Sequence, residues 1–81
     1  MTKQAKVTVK FFNVTVKFFN AEEGYGFFQC PEGQDIFVHL TDLTSFGFTP
    51  EDMVNGSPAI IDYEANGDQK RTADIHYIAG K

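Results

Sequence analysis

Residues 7–13 read Val-Thr-Val-Lys-Phe-Phe-Asn, and residues 14–20 repeat the same seven residues in the same order. Seven is odd, whereas the side chains of a β-strand alternate with a period of two. In one regular strand over 7–20, Val7, Val9 and Phe11 would share a face with Thr15, Lys17 and Phe19, while Val14, Val16 and Phe18 would point the other way. The two copies contradict each other. A bulge, a turn or a disordered stretch must separate them, or only one copy belongs to the sheet. A seven-residue unit is too short for a solenoid, so the repeat reads as a recent or deliberate duplication of one strand.

The second copy directly precedes the turn signal Ala21-Glu22-Glu23-Gly24 and needs no extra loop. Using the first copy instead would leave seven largely apolar residues in that turn, with Val and Phe exposed. The expected division is therefore a surplus N-terminal arm over residues 1–13 and a domain over residues 14–81. The arm's copy of the repeat, residues 7–13, has high β propensity, no Pro and one Lys, the profile of a segment that pairs with another chain. It frays, or it adds to a neighbouring molecule as a homodimer or by strand exchange.

Strand signals recur along the rest of the chain: residues 14–19, 25–30, 34–40, 59–63 and 71–78 carry β-branched and aromatic runs. Pro31-Glu32-Gly33, Asn55-Gly56 and Asn66-Gly67-Asp68 supply the turns. The long connection over 41–57 holds one helical turn near Thr41-Asp42-Leu43 and another opened by Thr49-Pro50, where Thr caps and Pro takes the first helical position. Five short strands in 81 residues are too few for two sheets. They fit an all-β, five-stranded antiparallel barrel of the oligonucleotide-binding type (OB-fold), closed so that no edge is left open.

Composition narrows the function. A net charge of −4 lacks the basic surplus of an ordinary polyanion binder. Nine Phe and three Tyr exceed what so small a core needs, so some rings belong to a binding face. In Gly24-Tyr25-Gly26-Phe27-Phe28, alternation sets Tyr25 and Phe27 on one face and Gly26 and Phe28 on the other. In Ile36-Phe37-Val38-His39-Leu40, the β-branched pair Ile36 and Val38 is the natural core set, which turns Phe37 and His39 outward. Joined as a hairpin, the two strands make a platform of rings with Phe18 beside it, suited to stacking unpaired bases.

These residues carry a resemblance. Val16-Lys17-Phe18-Phe19-Asn20-Ala21, Gly24-Tyr25-Gly26-Phe27-Phe28 and Asp35-Ile36-Phe37-Val38-His39-Leu40 resemble, in order and spacing, the signature of the bacterial cold-shock protein family, from about Val14 to the C-terminus. The resemblance implies a cytoplasmic protein that binds single-stranded RNA and DNA and acts as an RNA chaperone or antiterminator. It implies contacts at Lys17, Phe18 and Asn20, at Tyr25 and Phe27, at Phe37 and His39, and at Phe48 in the long loop. Three positions depart from the family: Phe18 stands where Trp is usual, Glu23 where Lys commonly precedes the glycine, and Leu40 where an aromatic is common.

Other classes fare worse. His39, His76 and Cys30 have no metal-ligand spacing, and no Gly-rich phosphate loop or nucleophile elbow is present. No enzyme activity, metal or cofactor is expected. Cys30 reads as a small hydrophobe in a strand. No apolar run reaches the roughly 18 residues of a membrane span, and Met1–Lys6 lack the apolar centre of an export signal. The alternative reading is a protein-interaction or strand-exchanging scaffold without nucleic-acid binding.

Overall fold

A computed structural model describes residues 6–67 and 69–79. Five strands, β1 (Lys6–Asn20), β2 (Tyr25–Gln29), β3 (Asp35–His39), β4 (Pro58–Asn66) and β5 (Gln69–Ile78), close in the order β1-β2-β3-β5-β4. All seams are antiparallel except β3–β5, which is parallel at Phe37↔Arg71. The connection after β3 begins with the short helix α1 (Leu40–Ser45). A single 3-10 turn, Pro50–Asp52, follows with Thr49 at its N-cap and Pro at its start, as the Thr-Pro signal predicts. Met1–Ala5, on which the export expectation falls, lie outside the described residues. No helix among the described residues is long and apolar enough to cross a membrane.

The first copy is not a separate arm over its described part. From Lys6 onward it forms the leading half of β1 and pairs with β4, from Lys6↔Asn66 to Val9↔Tyr63 and again from Phe12↔Ile61 to Thr15↔Pro58. The second copy then pairs with β2, from Thr15↔Gln29 to Asn20↔Tyr25. β1 runs unbroken through the expected boundary at residue 13, and the chain passes from β4 to β2 at Thr15, which pairs with both Pro58 and Gln29.

The parity conflict is resolved inside each copy. Between Val9 and Phe12 the chain advances three residues while β4 advances two, from Tyr63 to Ile61. Between Val16 and Phe18 it advances two while β2 advances one, from Phe28 to Phe27. Each shift is a bulge that inserts one residue. Seven residues with one bulge cover six pleat positions, an even number, so equivalent residues face the same way. Val9 and Val16 both turn to the core, Phe12 and Phe19 pack against it, and Thr8, Lys10 and Asn13 are exposed like Thr15, Lys17 and Asn20.

The core contains Val14, Val16, Phe28, Ile36, Val38, Leu43, Ile61 and Ile75. Phe28, Ile36, Val38, Leu43 and Ile61 have no exposed surface, and burying each such side chain contributes about 1.5–3 kcal/mol. Cys30 is buried beside Tyr63. Burial, aided by the Glu32 carboxylate, pushes its thiol up from the ordinary range. A thiol held protonated is a poor nucleophile, in keeping with a core role.

Candidate nucleic-acid interface

The outer face of β1, β2 and β3 is built by the alternation legible in the sequence. Gly26, Phe28, Ile36 and Val38 are buried, while Tyr25, Phe27, Phe37 and His39 are half-buried on the opposite face. The register sets Phe27 directly across from Phe37 and Tyr25 across from His39. On the other flank, the bulge at Lys17 re-aims β1. In a regular strand Phe18 would follow Val16 into the core, but the inserted residue brings it opposite Phe27 on the outer face.

Gly26 makes this close approach of β1 and β2 attainable. A Cβ at that position would lie 2.6 Å from Phe19 Cδ1 and 2.7 Å from Phe19 Cα, and closer still to the Phe18 carbonyl oxygen. Gly24, with φ +80°, turns the chain into β2 and donates its N–H to the Asn20 carbonyl at 2.8 Å.

The rings form one continuous cluster. Phe18 lies 5.6 Å from Phe27 and 6.4 Å from Tyr25 between centroids. Phe27 lies 5.8 Å from Phe37, and Tyr25 stacks on Phe37 at 6.1 Å with 19° between planes. His39 continues the row 6.4 Å beyond Phe37. Most contacts are edge-to-face, the favoured geometry of aromatic quadrupoles. The rings brace one another, so their open faces are presented in fixed positions.

The remaining expected contacts have occupations of their own. Asn20 Oδ1 accepts the Glu23 N–H at 3.0 Å and stabilises the turn. His39 is the N-cap of α1: its Nδ1 accepts the Thr41 N–H at 3.1 Å, and its own backbone N–H donates to Asp42 Oδ2 at 2.9 Å. With Nδ1 accepting, the neutral ring carries its hydrogen on Nε2 and keeps a donor for a base edge. Lys17 Nζ lies 3.1 Å from both oxygens of Asp35. Phe48 stands apart from the row, half-buried against the core, whereas Phe46 in the same loop is 37% exposed.

Two features escape strand-by-strand reading. The parallel seam places Arg71 opposite Phe37, its guanidinium carbon 5.8 Å from the ring centroid. With Phe27, Asp35, Gln69 and Lys70, these two residues line a cleft of about 390 Å³ that continues the platform. On the β4–β5 surface, Asp62 lies across from Asp74 and 3.0 Å from His76 Nε2, the three offering ligand atoms within 4.8 Å of one another. His76, itself exposed, is thus paired with Asp62, a residue only 9% exposed. Both groupings depend on cross-strand register, which no local motif reveals.

The "'Cold-shock' DNA-binding domain" matches residues 12–56, a segment that contains the second copy and every ring of the platform. The chain belongs to the cold-shock family. It is 38% identical to the cold shock protein CspC of Bacillus subtilis (strain 168) over 68 residues, 84% of this chain and 89% of that protein. To cold shock protein 1 of Lactiplantibacillus plantarum it is 35% identical over the same shares. To the major cold shock protein of Streptococcus pyogenes serotype M1 it is 41% identical over 44 residues, 54% of this chain and 55% of that protein. Nucleic-acid binding is the property of the cold-shock domain at the level of the family. The closed five-stranded barrel described above is the OB-fold expected of such a domain.

Proposed function

We propose that this cold-shock domain binds single-stranded RNA and DNA by stacking bases on the row Phe18, Tyr25, Phe27, Phe37 and His39, and acts in the cytoplasm as an RNA chaperone or antiterminator. The observation that carries this reading is the continuity of the row: five rings, each within 6.4 Å of a neighbour, on the outer face of three adjacent strands. Rings receive unpaired bases irrespective of sequence, at about 1–3 kcal/mol per base, and a duplex keeps its bases stacked on each other. A chain of net charge −4 depends on that contribution more than on phosphate neutralisation. Fluorescence anisotropy with a labelled pyrimidine-rich oligonucleotide tests it. Saturable binding at low salt, preferring single strands to the matching duplex, is expected; preference for the duplex refutes stacking. Acceleration of hairpin melting in a quenched RNA beacon tests the chaperone role.

A second reading, self-association, is favoured by one observation. Residues 8–13 of β1 pair with β4 along one edge, and their other edge has no strand partner among the described residues. The exposed Lys10 and the bulge beside it are the devices that discourage edge pairing. Size-exclusion chromatography with light scattering over a concentration series decides, and monomer throughout dismisses the reading.

A further inference from the structure

The cations nearest the ring platform differ in whether their charge is already engaged. Lys17 holds both carboxylate oxygens of Asp35 at 3.1 Å, so that pair presents no net charge. Lys70 makes no hydrogen bond or ion pair among the described residues. Arg71 lies 3.8 Å from Asp42 Oδ2, with 57% of its side chain exposed. That distance exceeds the 2.7–2.9 Å of a charge-assisted hydrogen bond, so most of its donors remain available. Lys70 and Arg71 line the cleft that also holds Phe27 and Phe37, and Arg71 lies over the Phe37 ring.

Resting on the base-stacking reading, we infer that the sugar–phosphate backbone of a bound single strand follows the β3–β5 seam, where Lys70 and Arg71 take its phosphates. Lys17 has a different task. Asp35 lies in the same cleft, where a bare carboxylate would repel the phosphates, and Lys17 neutralises it. The acids that face Arg71 are Asp42, whose carboxylate also caps α1, and Glu64, its register partner on β4. A guanidinium over Phe37 remains beside any base that stacks on that ring, close to where the nucleotide's phosphate emerges. Both cations lie on β5, outside the segment 12–56 that the cold-shock domain matches.

The test is the salt dependence of oligothymidylate binding, read by anisotropy over a series of salt concentrations. Each phosphate neutralised on a single strand contributes a slope of about 0.7 in the log–log plot. The double variant Lys70→Gln, Arg71→Gln is expected to lose about 1.4 of the slope at two phosphates, and Arg71→Lys to retain it. Replacing the neutral pair, Lys17→Gln with Asp35→Asn, is expected to leave the slope unchanged. Thermal melting by circular dichroism verifies that each variant is folded. Binding whose slope survives in the Lys70, Arg71 variant, or falls in the Lys17, Asp35 variant, overturns the assignment while leaving base stacking intact. A parent protein that fails to bind at low salt refutes base stacking itself and the assignment with it.

Discussion

Replacing Gly26 by Ala is the sharpest probe of how the ring platform is held. The added carbon would fall about 0.7 Å short of ordinary contact with Phe19 Cα, and it would overlap the Phe18 carbonyl oxygen more deeply. These are backbone atoms, so no side-chain rotation relieves the clash and β1 must retreat from β2. Forcing extra volume into a packed site costs about 1–3 kcal/mol, and losing one ladder hydrogen bond as the strands part adds about 1 kcal/mol. We expect a loss of about 3 kcal/mol. The total for a domain of this length is about 4–12 kcal/mol, so Gly26→Ala should bring it towards its unfolding limit. Gly33→Ala is the control. Gly33 has φ +96° with no atom within 4 Å of an added Cβ, so only the left-handed backbone penalty of about 1–2 kcal/mol applies. Urea titration followed by far-UV circular dichroism measures both, the chain having no Trp to report. Equal destabilisation by the two substitutions would refute the close-approach argument. So would unchanged oligonucleotide affinity in a folded Gly26→Ala protein, because Phe18 moves with the strand.

Removing a platform ring separates binding from folding: Phe37→Ala should weaken single-strand affinity about 5- to 150-fold, the equivalent of one stacked base, as measured by anisotropy under conditions where melting shows the variant folded. Stability should fall in alkali. The folded-state pKa values of Cys30 and Tyr63 are raised, chiefly by burial, so the unfolded chain releases these protons first and the loss begins near the unfolded thiol value of about 8.5 and continues past the phenol value of about 10. Urea midpoints for the parent and for Cys30→Ala should lie closer together at pH 9.5 than at pH 7, because only the parent has a buried thiol whose contribution alkali removes. Deleting residues 7–13 should lower the melting temperature, because the half of β1 paired with β4 loses Val9 and Phe12; the rings are unaffected, so single-strand affinity should stay within about threefold of the parent if each base continues to stack as before.

What could be read from the sequence and what could not divides along the range of the interaction. Alternation in 25–28 and 36–39 identified the inward and outward residues of β2 and β3 correctly, because each side of a two-faced strand is decided by the residue itself and its neighbours. Thr49 and Pro50 announced their helical turn for the same local reason. The β3–β5 seam joins residues distant along the chain, and with it came the Arg71–Phe37 contact that no local motif contains. The Lys17–Asp35 pair likewise spans 18 residues. The contact at Phe48 rests on the resemblance alone, and the half-buried position of this residue against the core follows the course of a long loop, which periodicity does not constrain.

The repeat shows how such a gap can hide in plain arithmetic. Counting residues makes two copies of an odd unit incompatible, but the barrel counts pleat positions, and Val-Lys-Phe in each copy absorbs one residue into a bulge. The same device then serves different ends. In the first copy it keeps Val9 and Phe12 on the core side while β1 runs along β4. In the second it turns Phe18 out of the core and sets it against Phe27. A bulge in this segment is thus a property of the strand paired to a neighbour, reproduced against two different partners. It follows that the outward ring at Phe18 depends on the bulge and on the glycine that lets β2 approach it, so the binding face of this cold-shock domain is fixed as much by backbone register as by the rings themselves.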